Sequence, residues 1–514
     1  MGNYSSIPEE VLRFKPCNCV RIRNDNGIFR VYKYQSIKRP DGVWTNNYGY
    51  LIGKIVPNEG FFPNKRYVKE LKEEERKKRN VVSNADVITD LSYGEYALLC
   101  QLSDDIYQKL KKCFPEERAA QIYSYALILC AQGFIHVDQV SDFYDVSYLS
   151  WLFEHYTFKM GSTALSNLLE DLGKRTNPIK AFEQMLIDEC SNDVAVDGHV
   201  IRSCSEENDL AEPGYKVNKL GAPQVNLLVA YDTVNDYPLM YKSFRGSSVD
   251  KKSAKDFISS RSFKNVRFVV DGGFYSKDII DMMSKDGNTY IIPVHTNNSN
   301  FKKIKDTLTF SSGEFIYRAD KKNRARIVFQ KQDLNDGKTL YVFKDLDENN
   351  SKCKSYKYNI DLEEPGYTEE KYMSFKDWWG VYLLETNSKD SASEIFNRYK
   401  NRWRIETYNN YIKNYAGFND LKLQEYYHFH GFDFIMLVTG LIHQKLNLAV
   451  QSLHKTNLST FDILYKAKRL RMVLQDDEWM IQNTRTKDNS IFEALGFKPD
   501  MVLKKNDSYV QKSH

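Results

Sequence analysis

The chain has 514 residues, of which 73 are Lys or Arg and 68 are Asp or Glu, so its formal net charge is +5. A charged fraction of 27% and a hydrophobic fraction of 42% are typical of globular proteins. These values exclude a disordered chain, a collagen and a coiled-coil rod, and the length allows about three domains.

Eight cysteines are scattered along the chain, and no two of them form a Cys-x2-Cys pair. This spacing argues against zinc sites of the finger type and favours a reducing compartment. The N-terminus has no basic region followed by an apolar run, so no secretory signal is predicted. The longest apolar stretches, such as 432–442, are too short to span a bilayer. We therefore expect a cytoplasmic protein that does not act at a membrane.

The first 80 residues are predicted to be β-rich. GIFRVYKYQSI (27–37) alternates and contains β-branched and aromatic residues, and a Pro-Asp-Gly turn separates it from VWTNNYGYLIGKIV (43–56). Alternation broken by such a turn indicates a β-hairpin. The charge run at 67–80 is interpreted as a solvated helix or a linker. Residues 92–190 carry apolar residues at helical spacing, without a candidate active site.

From residue 190 the pattern alternates between strands and helices. It predicts three strands, a helix, a strand, a helix and a strand. Residues 296–376 break this rhythm and are interpreted as a β-rich insertion, after which 379–387 resumes the core as a strand. A long helix is predicted over 391–414, with Ser391 or Ser393 as its N-cap, and the remainder to about 475 is predicted to be mostly helical. The predicted strands of the core are 194–201, 223–232, 237–246, 265–271 and 288–294, and its helices are 250–260 and 276–287.

Two aspartates stand where a structural role is not obvious. Asp197 lies inside the apolar run VAVDGHVI, where an unpaired carboxylate costs free energy, and Asp271 ends the fourth predicted strand before two glycines. If the first and fourth strands are neighbours in the sheet, both carboxylates point into one site. Asp193 competes with Asp197 for the first position, and this alternative stays open.

A third carboxylate, Glu406, lies on the predicted helix 391–414. At about 100° per residue, four residues share one face of this helix about 60° wide: Tyr399, Arg402, Glu406 and Lys413. One interpretation is a solvated stripe with one ion pair. The other is a metal-binding carboxylate between two cations and a phenol that grip a DNA phosphate. Clustered carboxylates repel unless a divalent cation neutralises them, and oxygen ligands favour Mg²⁺ or Mn²⁺.

The segment YKNRWRIETYNNYIK (399–413) has the form Tyr-x2-Arg-x3-Glu-x6-Lys. It resembles the Tyr-Arg-Glu-Lys signature of the DDE transposases of bacterial insertion sequences, the insertion-sequence-four group and its larger relatives, at all four positions. VVDGGFYS (269–276) resembles the segment around that family's second Asp, and VAVDGHVI (194–201) resembles the first-Asp strand less distinctively. The β-rich break before the Glu406 helix resembles the insertion domain of this group, and the N-terminal hairpin resembles the longer relatives.

The resemblance implies a ribonuclease-H-like α/β core, a mixed sheet flanked by helices, interrupted by a β-rich insertion within an α+β multidomain chain. It implies that Asp197, Asp271 and Glu406 hold two Mg²⁺ or Mn²⁺ ions. It further implies that Tyr399, Arg402 and Lys413 bind DNA phosphates, and that Trp378 or Trp379 stacks on a flipped base. The expected regions are a β-rich DNA-binding arm (1–80), a helical DNA-end-binding region (81–190), the core in two parts (191–295 and 377–455), the insertion (296–376) and a C-terminal helical tail (456–514).

The function implied is that of an insertion-sequence transposase. Such an enzyme cleaves the terminal inverted repeats of its element and joins the 3′-OH ends to target DNA by two-metal phosphoryl transfer. The implied partners are these two double-stranded DNAs and a second copy of the chain, in a bacterial, nucleoid-associated setting. Two alternatives stay open: an inactive or domesticated DNA-binding derivative, and a ribonuclease-H-like DNA nuclease.

Two further groups of residues are candidates of lower specificity. His428 and His430 are two positions apart, so on a helix they face apart and are interpreted as packing or phosphate contacts. A basic cluster on a predicted later helix either is solvated or touches DNA: Lys466, Lys468, Arg469 and Arg471.

Overall fold

The computed structural model describes residues 7–16, 20–38, 44–71, 90–133, 135–202, 208–213, 223–247, 250–319, 323–414, 423–453, 457–475, 478–482, 485–498 and 502–503. The chain divides into two compact units, Met1–Ile88 and Thr89–His514. In the described ranges no single helix is long and apolar enough to cross a membrane, and one bent pair, Glu116–Gln132 with Val137–Asp145, reaches that length and composition together.

The first unit contains α1 (Glu9–Leu12), β1 (Val20–Asp25), β2 (Ile28–Lys38), β3 (Trp44–Val56) and β4 (Gly60–Pro63). The four strands form one antiparallel sheet in chain order, and the predicted hairpin is confirmed as the pair of β2 and β3. Apolar residues at alternate positions give the sheet one apolar face. Val11 of α1 packs on this face with Val20, Val31 and Ile52.

The second unit is built on a mixed sheet that has ten strands within the described residues. The strand order is β12-β13-β14-β15-β11-β10-β6-β8-β7, and β9 also pairs with β8. These strands are β6 (Asp193–Arg202), β7 (Glu212–Pro213), β8 (Pro223–Asp232), β9 (Tyr237–Arg245), β10 (Arg267–Val270), β11 (Thr289–Pro293), β12 (Gly313–Arg318), β13 (Arg324–Asp333), β14 (Thr339–Asp345) and β15 (Val381–Thr386).

The middle of this sheet follows the predicted run of elements. β6, β8 and β9 are antiparallel neighbours, β10 runs parallel to β6, and β11 runs parallel to β10. The first and fourth predicted strands are therefore neighbours. β8 is buried along nearly its whole length, which a strand shows only when both faces of its sheet are covered.

Helices occupy most of the sequence between the two β regions, as the apolar spacing predicts. They are α2 (Gly94–Leu102), α3 (Asp104–Cys113), α4 (Glu116–Gln132), α5 (Val140–Asp145), α6 (Tyr148–Leu152), α7 (Ser162–Lys174) and α8 (Thr176–Asp188). The later helices are α9 (Asp250–Ser259), α10 (Lys277–Met283), α11 (Ser299–Ile304), α12 (Leu346–Asp361), α13 (Glu369–Phe375), α14 (Ala392–Asn401), α15 (Trp403–Asn414), α16 (Tyr426–Ser452), α17 (Thr460–Ala467) and α18 (Thr486–Ala494).

The 27-residue helix α16 packs against β9 and against α7. Two glycines let α16 and α7 approach closely. A Cβ on Gly431 would overlap the Leu169 carbonyl, and a Cβ on Gly173 would overlap the Tyr427 carbonyl. Backbone contact at these two points ties the helical region to the sheet through one shared core.

The segment predicted as a β-rich insertion differs in its second half. Its three strands, β12 to β14, extend the same sheet, and they are followed by the helices α12 and α13, which the sequence analysis did not predict. No residue of either helix is buried. Because helices without a buried face need no apolar periodicity, the sequence pattern gave no signal for them.

The expected C-terminal helical tail is wrong in part. α17 is followed by β16 (Arg471–Gln475) and β17 (Glu478–Gln482), which form a small sheet with β18 (Val502–Leu503) and with β5 (Asp90–Ser92), while α18 lies between β17 and β18. A five-residue strand such as RMVLQ is too short to be distinguished from a helix by its periodicity.

A partly buried histidine of the long helix α16 contacts the helix that carries Glu406. His443 stacks on Tyr411 with the ring centroids 3.4 Å apart, and its Nδ1 has no hydrogen-bond partner among the residues that the structure describes. Burial lowers the pKa of His443 from 6.5 to about 3, because the imidazolium is poorly solvated there.

We expect His443→Phe to make the protein less sensitive to acid. The unfolded chain takes up a proton on this histidine below about pH 6.5, and the folded chain does so only near pH 3, so stability is lost as the pH falls between these values. The loss is at most about 1.4 kcal/mol per pH unit. Urea denaturation at several pH values should show that the free energy of unfolding falls less in the variant than in the wild type as the pH falls. The exposed His155, changed to Phe, is the control, and the same pH dependence in both variants would contradict the prediction.

Candidate active site

Two carboxylates come together because two parallel strands pair in one register. β10 lies beside β6 so that Val270 is next to Val196. Asp271 and Asp197 are the next residues along these two strands. The structure therefore brings both predicted aspartates to one place, as the sequence analysis expects for neighbouring first and fourth strands.

Asp197 is partly buried. Its Oδ1 accepts a hydrogen bond from the next backbone N–H at 2.9 Å, and its Oδ2 accepts one from Asn409 Nδ2 at 3.0 Å. Burial is the largest cause that raises the pKa of Asp197. The charges of Asp271 and Glu406 raise this pKa further, and the guanidinium of Arg402 lowers it. We call the three predicted carboxylates the carboxylate cluster: Asp197, Asp271 and Glu406.

Asp271 directly follows β10 and starts a short 3₁₀ turn, Gly272–Phe274. Its Oδ2 lies 3.5 Å from the Gly273 nitrogen, which is a weak cap, and the side chain is exposed. A carboxylate that is exposed and held by one long hydrogen bond is free to accept a ligand from solution.

The predicted continuous helix over 391–414 is wrong in one respect. The structure has two helices, α14 and α15, with Arg402 between them. The N–H of Arg402 bonds to the Tyr399 carbonyl at 3.2 Å, three residues back instead of four. Neither Pro nor Gly marks the break, so the sequence pattern could not reveal it.

Arg402 is the cation that connects α15 with the two aspartates. Its Nη2 donates to Glu406 Oε1 at 2.6 Å, and its guanidinium lies 6.0 Å from the centroid of the Tyr399 ring. The Arg402 side chain is 14% exposed and the Glu406 side chain 54%, so Glu406 is the partner that can turn away. Burial alone would lower the pKa of Arg402, but the carboxylate cluster and the Tyr399 phenol raise it.

The donor set of the carboxylate cluster is suited to a hard divalent cation. It offers carboxylate oxygens alone, and its like charges raise the pKa of Asp197, so a cation would relieve a real repulsion. The side chains are not gathered around one point as they stand: in the described ranges no three His, Cys, Asp or Glu side chains lie at metal-binding distance. Glu406 is turned to Arg402, and Asp197 to Asn409.

Asp193, the competitor for the first position, is held in an ion-pair network instead. It starts β6, is buried, and pairs with Arg267 of β10 and with Arg398 of α14, whose Nε is 3.2 Å away. Arg267 and Arg398 also meet Asp390, at 2.8 and 3.7 Å. Asp193 lies about 13 Å from Asp197 along the strand. It fixes the pairing of β6 with β10 and α14.

The other residues predicted to contact DNA are Lys413, Trp378 and Trp379, and the two tryptophans lie in different environments. Lys413 lies on α15, but its side chain is outside the described residues. Trp378 lines a cavity of about 300 Å³ that Tyr399 also lines. Trp379 packs instead among the rings of Tyr356 and Tyr372, with centroids 5.1 and 5.8 Å away.

Asn409 is a site residue that the sequence analysis missed. It is buried, and its amide holds the Asp197 carboxylate. It lies three residues after Glu406, so it shares the helix face that had been singled out for its charges. Its position on that face is the only sequence signal for its role, and a search for charged residues does not find a neutral amide.

The lower-specificity candidates have partners within the protein. Ser166 Oγ lies 2.7 Å from His428 Nε2, and His430 Nδ1 lies 3.3 Å from an oxygen of Asp433, which agrees with packing roles. The predicted basic cluster does not lie on one helix, because Arg471 is on β16. Its four cations are paired: Lys466 and Arg469 with Asp488, Lys468 with Gln132, and Arg471 with Asp90.

Residues 188–439 match the family model described as Transposase DDE domain. A search of curated protein sequences gave no match. Among solved structures, the chain is similar to the one in a cryo-EM structure of the piggyBac transposase synaptic complex with hairpin DNA, at 9% identity and a TM-score of 0.38, covering 69% of this chain and 71% of that chain. A TM-score of this size transfers neither residues nor mechanism. The family match contains Asp197, Asp271 and Glu406, and it supports a DDE-type transposase.

Proposed function

We propose that this chain is the DNA transposase of an insertion sequence, which cleaves the terminal inverted repeats and joins their 3′-OH ends to target DNA. The observation that carries the proposal is the pairing of β6 with β10, which makes Asp197 and Asp271 neighbours, together with the Arg402–Glu406 ion pair on α15. The family match over 188–439 supports the same enzyme class.

The core of the enzyme is ribonuclease-H-like in this proposal. The support is the order of the middle strands, β9-β8-β6-β10-β11, with three antiparallel strands followed by two that run parallel to the first. This order makes β6 and β10 neighbours, and the proximity of Asp197 to Asp271 depends on that pairing.

Asp197, Asp271 and Glu406 would hold the divalent ions, two Mg²⁺ or Mn²⁺ in the proposal. The chemistry that such ions supply when bound is activation of the attacking oxygen and stabilisation of the leaving oxygen. The chain's own contribution is to hold the three carboxylates on rigid elements. Asn409 orients Asp197 by the hydrogen bond to Oδ2.

Arg402 and Tyr399 would bind the phosphate next to the cleaved bond. Burial raises the pKa of Tyr399, so its phenol stays protonated and can donate to a phosphate oxygen. Arg402 now bonds to Glu406, and a phosphate would compete for the same guanidinium. DNA binding would thus release Glu406 from Arg402 and free it to turn toward Asp197 and Asp271. Lys413 would contact the backbone further along.

Trp378 is the better placed of the two tryptophans for a flipped base. It lines the same cavity as Tyr399, about 300 Å³ in volume, and one edge of its surroundings is Phe301, with centroids 5.8 Å apart. Trp379 does not line this cavity and is packed among the tyrosines of α12 and α13. A base that enters this cavity would stack near the proposed phosphate contact.

The reaction has two steps. Hydrolysis of the phosphodiester at the element's end consumes one water and leaves a 3′-OH and a 5′-phosphate. That 3′-OH then attacks a second phosphodiester, whose own 3′ oxygen leaves. Two ends must be cut together, so a homodimer is the proposed active form, with the N-terminal β arm and the helical region on the terminal repeats.

Glu406→Gln should abolish metal-dependent nicking and leave DNA binding nearly unchanged. The amide removes a ligand charge, while the lost ion pair is half exposed and worth less than about 1 kcal/mol. Nicking of a plasmid that carries the DNA flanking this gene, with Mg²⁺ or Mn²⁺, measures the first effect, and gel shift the second. Glu493→Gln, an exposed glutamate on α18, is the matched control. Equal loss of binding and nicking would make Glu406 structural, and a wild type that binds but never nicks would favour the inactive derivative.

Asp197→Asn and Asp271→Asn should lose nicking to a similar degree and keep their thermal stability. Asp193→Asn should lower the free energy of unfolding by about 2–3 kcal/mol, because the partly buried Arg267 and Arg398 would lose their buried carboxylate partner and keep Asp390. Urea denaturation and plasmid nicking separate the two effects. A stable but inactive Asp193→Asn, beside an active Asp197→Asn, would show that the first carboxylate is Asp193.

A further inference from the structure

The positive charge of this chain is concentrated in its first unit. Met1–Ile88 contains 17 Lys and Arg and 10 Asp and Glu, so its formal charge is 17 − 10 = +7. The remaining 426 residues contain 56 Lys and Arg and 58 Asp and Glu, a charge of −2, and the two sum to the +5 of the whole chain. A partner that carries many negative charges is therefore attracted most strongly to the first unit.

Three cations of this unit lie side by side on one face of the sheet. The opposite face carries the apolar core with α1. On the outer face, Arg23 of β1 is directly opposite Arg30 of β2, and Arg30 is directly opposite Lys54 of β3. All three are exposed. We call Arg23, Arg30 and Lys54 the cationic row.

The cationic row opposes the stability of the sheet. Like charges directly opposite each other on neighbouring strands are destabilising. Asp25 pairs with Arg30 at 3.5 Å, and because the two side chains stay 46% (Arg30) and 42% (Asp25) exposed, this pair contributes little. An arrangement that costs stability and faces solvent is typical of a binding surface.

Two aromatic rings extend the cationic row. The guanidinium of Arg23 lies 5.5 Å from the centroid of Tyr32, which is directly opposite Arg21. Phe62 of β4 is directly opposite Lys54 and 45% exposed. The face is therefore cationic in its centre with flat rings beside it, which suits a sugar-phosphate backbone.

We infer that the cationic row binds the phosphate backbone of double-stranded DNA without reading its sequence. Four strands about 4.8 Å apart span roughly 14 Å before side chains are added, which exceeds the roughly 12 Å width of the major groove. The face therefore lies across the backbone, where contacts position the protein and do not specify bases. DNA as the polyanion rests on the proposed function.

The test compares the full-length wild type with Arg23→Gln/Arg30→Gln/Lys54→Gln. Fluorescence anisotropy would measure affinity for an element-end duplex and a scrambled duplex between about 50 and 200 mM salt. We expect weaker binding to both duplexes by the same factor. The slope of log K against log salt should fall by about 0.9 per lost phosphate contact, up to about 2.7, or roughly 40-fold less salt sensitivity over this range.

Two control variants test whether the effect depends on the charge of the cationic row. Lys285→Gln/Lys487→Gln/Lys498→Gln removes three exposed cations from the second unit, outside the helical region proposed to bind DNA, and should change the slope little. Arg23→Lys/Arg30→Lys keeps the charge and should retain the salt slope. Because the Gln variant relieves cross-strand repulsion, its melting temperature should equal or exceed that of the wild type, so weak binding is not explained by unfolding.

An unchanged salt slope in the Gln variant, a loss confined to the element-end duplex, or an equal loss in the second-unit control would each overturn the inference. These results are distinct from failure of the proposed function. If the wild type nicks DNA but the cationic row does not affect binding, the inference fails and the transposase stands. If no nicking occurs but the cationic row controls duplex binding, the inference stands without the enzyme.

Discussion

The parallel pairing of β6 and β10 is the constraint on which the candidate site depends. Residues far apart in the chain become neighbours at this pairing, and a register shift by one residue would turn one of the two aspartates to the opposite face. The pairing is held at its far end by the buried Asp193 carboxylate and its two arginines. The Asp193 carboxylate therefore fixes the strands so that Asp197 and Asp271 become neighbours, and β6 carries both a structural and a proposed catalytic carboxylate.

The carboxylates of Asp197, Asp271 and Glu406 repel one another when neither a metal ion nor DNA is bound. Arg402 reduces this repulsion, because the break between α14 and α15 places its guanidinium near the carboxylates. Its ion-pair partner Glu406 stays half exposed. Such an arrangement balances charge in the free protein and leaves the ion pair replaceable, since an exposed partner gives up little free energy on turning away. The same cation would then neutralise whichever anion lies closest.

The sequence pattern predicted most of the core strands, and it singled out Asp197 and Asp271, which the strand pairing makes neighbours, for a physical reason. Strands such as 265–271 are short apolar runs whose period and length leave few alternatives, and a carboxylate inside or directly after such a run is conspicuous. The break at Arg402, the helices α12 and α13 and the small C-terminal sheet were not predicted. Each depends on tertiary contacts or solvent exposure, and neither alters apolar periodicity. Asn409 was missed because a neutral amide becomes significant only through the carboxylate that it holds.

The separation of charge between the two units bears on how binding and chemistry are combined. A core that must concentrate carboxylates cannot also be strongly cationic around them without neutralising its own ligands. With +7 on the first unit and −2 on the rest, attraction to a polyanion comes mainly from a unit that contains none of the predicted catalytic carboxylates. Affinity can then change with salt while the balance within the carboxylate cluster, shielded by burial around Asp197 and Arg402, changes little. Long-range attraction and local metal chemistry place opposite demands on charge, and this chain meets them in different parts of its sequence.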